Sequence, residues 1–351
     1  MSKLKIGYWP LSPNLQSAGD RRRVIFWAQA RGHEVVTDLN RRVDVIIASE
    51  KSDFASPIFI DSKAPIIFDL IDAYLSPLNP IDDIARGLVK KVASQLSGRI
   101  KPFSSHVQDF CQISNAVICS SVEQELLIKQ YNSNTHVILD SHEEIPILTA
   151  NHNADKFHTN RRILWEGQPA TIRGVQQVSS TLTELTRTNS LQFDFITDQS
   201  YFQFLGKFLK RSTLRLLEAD LSGVFDRVSI TPWTTANLVN CAEKSDIAII
   251  PIDLTVPMQR LKPENRLLIM WRLGLPCLTS ASPAYTRVAI KAGTKTVCET
   301  PNDWLENFKN LLANPSFAHQ EVLRGQNYLH ENHTSTILLN KWDRAIESVI
   351  G

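Results

Sequence analysis

The sequence predicts an α/β protein built from two doubly wound parallel sheets, and three observations carry that expectation. Short, continuously apolar runs alternate with longer amphipathic stretches. The alternation occurs in two successive series, each of about 150 residues, the usual size of a domain. A polar stretch without hydrophobic period, residues 149–161 (TANHNADKFHTNR), separates the two series. Runs this short, uninterrupted and spaced by helices belong to strands covered on both faces.

In the first series the strand candidates are residues 5–9, 34–37, 43–47, 65–69, 116–120 and 136–139. The second series offers 162–165, 191–196, 228–231, 247–251 and 277–280. Helical patterns fill 19–31, 121–131, 176–188, 234–243 and 265–273. Residues 333–350 read as a capped helix, with Thr334 or Ser335 ahead of Ile337, Leu338, Leu339, Trp342 and Ile346. The expected organisation is a domain over 1–150, a second over 161–333, and a C-terminal helix over 334–351 packing back on the first.

Composition narrows the function. Of 351 residues, 43% are hydrophobic, which excludes a disordered tail or a fibrous repeat. Lys and Arg number 38 against 36 acids, a net charge of +2, so no basic excess points to nucleic acid. No apolar run reaches the roughly 18 residues of a spanning helix, and the start MSKLKIGYWP lacks signal-peptide character. Five cysteines without a close CxxC pair suit a reducing compartment and no structural zinc. A cytoplasmic protein is expected, with peripheral contact at the inner face of the membrane through one basic segment.

That segment is residues 84–101, which holds Arg86, Lys90, Lys91, Arg99 and Lys101 and no acid. Its apolar positions Ile84, Leu88, Val92 and Leu96 recur every four residues, giving an apolar stripe opposite a basic face. Such a helix suits an anionic membrane or acceptor; a surface helix packed on its own domain has the same pattern. The run Arg21–Arg23 opens the first helix and divides between cleft and solvent. Trp165, Trp271 and Trp342 read as core; Trp233, after a proline at a strand end, is the exception.

Open parallel sheets bind ligands at the carboxyl ends of their strands, so the loops there carry the search. The loop 10–20 ends in Gly19 at a helix start, where a backbone can approach an anion; a plain strand-to-helix turn reads the same way. Neither GxGxxG nor GxxxxGK[ST] occurs, which excludes a dinucleotide fingerprint and a phosphate-loop NTPase. After the strand 162–165, EGQPATIRG leads Arg173 to a helix start, suited to phosphate or to solvent. Lys262 and Asn265 stand just before or at the start of the helix 265–273, again where an anion is held, and Glu264 suits a hydroxyl or a helix cap.

Residues 247–285 resemble the donor segment of GT-B glycosyltransferases, close to family 4 (glycosyltransferase group 1). Lys262, Asn265, Arg266, Gly274 and Pro276 match its K-x-x-N-[KR]-x7-G-x-P spacing. Residues 162–174 are similar to the family's first donor-domain strand and its glycine loop, and 229–251 to its base-binding stretch. Residues 5–36, ending R-G-H-E-V, resemble the opening strand, loop and helix, and 116–143 the last segments of the first domain. The resemblance covers nearly the whole chain. It implies GT-B architecture, two Rossmann-like domains facing a cleft, and sugar transfer from a nucleoside diphosphate donor with retention and without metal. The acceptor it implies is a glycan, a lipid-linked molecule or a small molecule, as in polysaccharide biosynthesis.

The resemblance also implies site residues. Arg173 and Lys262 neutralise the diphosphate, Asn265 orients a phosphate or ribose oxygen, and Pro232, Trp233 and Leu238 flank the base. Gly19 and Gly167 line the two glycine loops. Asp69 and Asp72 fall where the family often places a histidine or acid near the sugar, and Asp72 is the candidate for a hydroxyl contact or acceptor base. The strand-end group Asp140, Ser141, His142 and Glu143 is a further cleft candidate. No metal site and no cofactor beyond the co-substrate are expected, and UDP is not distinguished from GDP. The family's E-x7-E pair falls here on Leu261 and Ile269, which accept no hydrogen bond from a ribose, leaving Glu264 as the neighbouring acid. The alternatives are a non-catalytic nucleotide-sugar-binding protein and a sugar-nucleotide epimerase of the same fold.

Overall fold

A computed structural model describes residues 2–77, 79–92, 96–97, 99–149, 160–203 and 209–351. The chain forms two compact units. The first comprises Met1–His142, Leu261–Pro263 and Thr334–Gly351, the second Glu143–Arg260 and Glu264–His333. Most of the polar stretch expected to link the domains, residues 150–159, lies outside the described residues. Before it, residues 143–149 belong to the second unit. The Leu148 amide donates to the Arg272 carbonyl at 2.7 Å, and the Arg272 guanidinium to the Ile145 carbonyl at 2.7 Å.

The first unit is built on six parallel strands: β1 (Lys5–Trp9), β2 (Glu34–Val36), β3 (Val45–Ser49), β4 (Ile66–Leu70), β5 (Ala116–Cys119) and β6 (Thr135–Val137). Their order is β2-β1-β3-β4-β5-β6. The central strands β3 and β4 are buried along their whole length, the polar Ser49 and Asp69 included, as strands covered on both faces are. On one face Trp27 stacks on Trp342 of the helix Ser335–Ile350 with centroids 5.8 Å apart, and the Trp27 indole donates to Asp343 at 2.8 Å. That helix is capped by Thr334, which accepts from the Ile337 amide. The other face is filled by Phe54, Phe68, Phe103 and Phe110.

The second unit carries β7 (Arg161–Glu166), β8 (Leu191–Ile196), β9 (Ser200–Gln203), β10 (Leu209–Ser212), β11 (Val228–Thr231), β12 (Ile247–Ile250), β13 (Cys277–Ser280) and β14 (Val297–Cys298). Six of them form a parallel sheet in the order β11-β8-β7-β12-β13-β14, and β9 with β10 forms a separate antiparallel ribbon. Trp165, Phe193, Phe195, Ile249 and Leu278 fill its core. Gly174 is required here: a Cβ at that position would collide with the carbonyl oxygen of Pro251, just past β12. Trp271 is also core, lying against Gly325. The ribbon and the two-residue β14 lack the apolar runs that mark the other strands.

The basic segment departs from expectation. Its helix runs Pro80–Val92, starting earlier and stopping sooner than 84–101. Residues 93–95 and 98 lie outside the described residues, and Arg99 to Pro102 are not helical. Three of the four stripe residues face out, Ile84 at 48%, Leu88 at 43% and Val92 at 72%, joined by Ile81 at 76%, whereas Leu96, beyond the helix, is buried in the core. Asp83, Gly87 and Lys90 face inward. Gly87 sets this orientation, since a Cβ there would overlap the Lys101 carbonyl. Asp83 accepts from the Ser104 amide at 3.0 Å, and the Lys90 ammonium donates to the Glu50 carbonyl at 3.3 Å. Hydrogen bonding therefore decides which face is covered, against the apolar period.

Candidate functional site

In each sheet the strand order reverses once, and the carboxyl ends of the strands flanking the reversal form the crevice where doubly wound sheets take ligands. In the first unit these are β1 and β3; in the second, β7 and β12. The chain therefore continues, at the two places that matter, from Trp9 and Ser49 and from Glu166 and Ile250.

Beyond β1 the loop 10–20 folds over Asp20, which is fully buried. Its carboxylate accepts from the Tyr8 hydroxyl at 2.7 Å, the Leu11 amide at 2.8 Å, and the Ser12 and Ser17 hydroxyls at 2.6 and 2.7 Å. Burial opposes the charge, but these donors outweigh it and hold the carboxyl below its usual range. Gly19 makes room for the Leu11 and Ile71 side chains, with which a Cβ would overlap. Trp9, Pro10, Leu11, Pro13 and Lys51 line a pocket of about 430 Å³ at this edge.

Beyond β3 stands Glu50, 8% exposed. Its carboxylate accepts from the Asp72 amide at 3.0 Å and the Tyr74 hydroxyl at 3.4 Å. Gln124, buried, donates to the carbonyls of Leu70 and Asp72, at 2.9 and 3.0 Å, so the turn after β4 is held from two sides. The Asp72 carboxylate, thus presented, meets the Lys262 ammonium at 2.9 Å. The Leu261 carbonyl accepts from the Ser121 hydroxyl at 3.2 Å, which seats the segment carrying Lys262 on the first unit.

Asp69 is engaged differently. The Arg23 guanidinium, wholly buried, contacts Asp69 at 2.5 Å and Asp140 at 3.2 Å, and donates to the Ile138 carbonyl at 2.7 Å. Of the arginine run, Arg22 and Arg23 are buried, while Arg21 binds the Gln16 carbonyl. Ser141 and His142 are buried as well, and the Ser141 amide donates to the Arg22 carbonyl at 2.8 Å. Among the described residues no group of three or more His, Cys, Asp or Glu is placed to hold a metal ion.

In the second unit, Glu166 ends β7 and accepts from the Trp233 indole at 2.8 Å. Arg266 donates to the Glu166 carbonyl, pairs with its carboxylate at 3.5 Å, and lies 5.1 Å from the Trp165 ring. Gly167, buried, leaves the room that guanidinium occupies: a Cβ there would stand 3.1 Å from it. Trp233 and Pro232 are set by the cap that follows, in which Thr234 accepts from the Asn237 amide and Asn237 donates to the Pro232 carbonyl at 2.9 Å.

The remaining candidates fall in different settings. Asn265 begins the helix Asn265–Arg272, and its side-chain oxygen is buried without a hydrogen-bond partner among the described residues. Arg173 is exposed at the first position of Arg173–Gln176, near enough to Asp220 to oppose the rise that burial imposes on that carboxyl. Glu264 is buried and paired with Arg287 at 3.3 Å, and it accepts no cap hydrogen bond. Leu238 is fully buried, as is Ile269 at 2%.

The structure thus joins Asp72 with Lys262, and sets Trp233 and Gly167 around Glu166. Three further residues at these edges were not singled out from sequence: Glu50, Glu166 and Arg266. Arg266 had a signal, its place in the K-x-x-N-[KR] match. Glu50 and Glu166 had only their position after an apolar run.

Compared by sequence, the chain matches no protein-family model and no curated protein. Compared by structure, it is similar to Anabaena Alr3699/HepE in complex with UDP and glucose, with a TM-score of 0.69 at 11% identity, over 98% of this chain and 100% of that one. It is similar to WaaG, a glycosyltransferase involved in lipopolysaccharide biosynthesis, with a TM-score of 0.60 at 14% identity over 99% of both. It also resembles TarM, with a TM-score of 0.59 at 13% identity; the alignment takes in 86% of this chain but 54% of TarM. The chain has the GT-B fold.

Proposed function

We propose that this protein is a glycosyltransferase that moves a sugar from a nucleoside diphosphate donor to a glycan, lipid-linked or small-molecule acceptor, with retention and without a metal ion. The observation that carries this reading is the gathering of charged and aromatic side chains at the carboxyl edge of both sheets, at the strand-order reversals. The fold it rests on is shared with HepE, which holds UDP and glucose.

The reaction breaks the bond between the anomeric carbon and the diphosphate oxygen and forms one to the acceptor hydroxyl oxygen. With retention no protein nucleophile is required, and the hydroxyl proton passes either to the departing phosphate, with Asp72 then contacting a sugar hydroxyl, or to Asp72 itself. The protein's task is to neutralise charge on that leaving group. Lys262 and Arg173 are the cations assigned to it, and Asn265 is assigned to a phosphate oxygen, through its amide N–H, or to a ribose hydroxyl, through its unpartnered oxygen. Trp233, with Pro232, supplies a face for the base. Asp72 contacts a sugar hydroxyl or takes up the acceptor proton.

The second reading, a non-catalytic nucleotide-sugar-binding protein, is favoured by Ile269, whose burial leaves no acid where the family's ribose-binding glutamate would stand. A panel of UDP-, GDP- and dTDP-sugars, tested for protection against thermal unfolding and then for hydrolysis and transfer, separates the readings. Ligands that bind only the folded state raise its stability by mass action. Protection with transfer supports the enzyme; protection without transfer or hydrolysis supports the binding protein; no protection overturns both.

The acceptor side extends this reading. The outward stripe Ile81, Ile84, Leu88 and Val92 is suited to the interfacial zone of a membrane, where a lipid-linked acceptor resides. Among the described residues no helix is long and apolar enough to cross a membrane.

A further inference from the structure

Among the described residues, Glu50 is an acid at the β1–β3 crevice that is both buried and tied to the residues assigned to the donor. It spends its carboxylate on the Asp72 amide and the Tyr74 hydroxyl, while Asp72 spends its own on Lys262. Two carboxyl groups therefore meet at the turn after β4, Glu50 from the end of β3 inside the unit and Asp72 on the turn itself at its surface, linked through the Asp72 amide. We propose that Glu50 is a positioning residue of the transfer reaction: it holds the turn after β4 so that Asp72 meets Lys262, and its proton sets how readily that lysine accepts an anionic donor. This inference rests on the reading that Lys262 engages the donor diphosphate.

The groups facing Glu50 decide the sign. From the turn after β4 come Asp72 and Tyr74; from the helix Pro80–Val92 comes Lys90; from the segment 261–263 comes Lys262. Lys51 and Arg86 face Lys90 in turn and weaken its charged form, and the Lys90 ammonium lies 3.8 Å from the Phe103 ring centre. Burial, then the nearby Asp72 carboxylate, push the Glu50 carboxyl up to about 7, against the Asp72 amide and the two lysines. Burial likewise brings Lys90 down to about 8. Glu50 is thus neutral on the acid side of neutrality and charged above it. Once charged, it adds a negative charge beside the Asp72–Lys262 pair and opposes a second anion there.

The test is the affinity for whichever nucleotide sugar of the panel protects best, measured by calorimetry at constant ionic strength from about pH 6 to about 8.5; its diphosphate diester does not titrate in this range. Wild type is expected to bind about fivefold more weakly at the alkaline end, the size of effect one unit charge exerts through a partly solvated site. The slope should be centred near neutrality. Glu50→Gln, which keeps the shape and an acceptor for the Asp72 amide, should lose the slope centred near neutrality and keep only the fall near pH 8 that follows from Lys90 losing its charge. Lys90→Met removes a cation that favours the Glu50 charge, so its midpoint should move to higher pH.

A purely structural role would lower affinity in Glu50→Gln and leave the slope in place. A flat wild-type profile, or an unchanged slope in folded Glu50→Gln, overturns the inference while the glycosyltransferase reading stands. If Glu50→Gln does not fold, the Lys90→Met midpoint decides, and an unmoved midpoint overturns it. If no nucleotide sugar binds at any pH, the underlying reading fails and the inference with it.

Discussion

Asp72 and Lys262 stand 190 residues apart in the sequence and 2.9 Å apart in the structure. Each was a candidate on separate grounds, one from the turn after β4 and one from the motif before the helix Asn265–Arg272. Both side chains remain partly exposed, 30% and 40%, so the pair adds about 0–1 kcal/mol to stability. Its value lies in holding a cation in place without burying it.

Lys262→Ala is therefore expected to keep the fold and lose the donor. A charged hydrogen bond to phosphate contributes about 1.5–3 kcal/mol, so nucleotide-sugar affinity should fall by roughly 10- to 150-fold. Unfolding free energy should change by less than about 1 kcal/mol. Calorimetric titration beside a denaturant melt checks both, and wild-type affinity in the variant would remove Lys262 from the site.

Much of this was legible from sequence, for physical reasons that differ by element. β8 was found at its full extent, Leu191–Ile196, because Leu191, Phe193, Phe195 and Ile196 give a strand period despite Gln192 and Asp194 between them. The cap at Thr334 was readable from a hydroxyl followed by a helical period. β14 was not, because two residues carry no period, and the β9–β10 ribbon is too polar to signal. Glu50 and Glu166 were missed because their importance depends on which strands are neighbours, whereas Arg266 stood in the K-x-x-N-[KR] match without a role assigned to it. The helix Pro80–Val92 had the right pattern and the opposite orientation, because Gly87, Asp83 and Lys90 bind inward.

Transfer should be unaffected by EDTA. The leaving diphosphate is assigned to fixed cations, and the sequence holds no Asp-x-Asp pair to present a divalent ion to it. Turnover measured before and after chelation, with magnesium and manganese added back, tests this. Loss with EDTA and rescue by either ion would replace Arg173 and Lys262 with a metal in the mechanism.

The Arg23–Asp69–Asp140 cluster makes a prediction about stability. Arg23 has no exposed side-chain surface, and Asp69 has 1%. Removing one partner of a buried pair leaves an uncompensated charge and costs about 3–5 kcal/mol, whereas an apolar pair of similar volume is often neutral. Asp69→Ala should therefore unfold at markedly lower denaturant, and the triple variant Arg23→Met, Asp69→Leu, Asp140→Asn, which leaves no member of the cluster charged, should recover most of the loss. Equal losses in the two variants would show that packing, not charge, is what Asp69 contributes.

The outward stripe of the helix Pro80–Val92 separates a membrane-side enzyme from one that works on dissolved acceptors. Ile81, Ile84, Leu88 and Val92 together present more apolar surface than a helix in contact with water alone requires. Fully burying one such side chain is worth about 1.5–3 kcal/mol, so partial insertion of four gives measurable affinity without a basic face. The charge contribution is smaller than the sequence suggested, since Lys90 turns inward to Glu50 and Lys101 pairs with Asp109. Co-sedimentation with anionic vesicles is expected, weakened only in part by salt, whose screening length is about 8 Å at physiological ionic strength. Leu88→Glu should abolish it, and Lys91→Glu should remove mainly the salt-sensitive part, while donor binding stays as in wild type in both. A wild-type protein that remains in the supernatant with anionic vesicles at low salt would assign the stripe to another partner and the acceptor to solution.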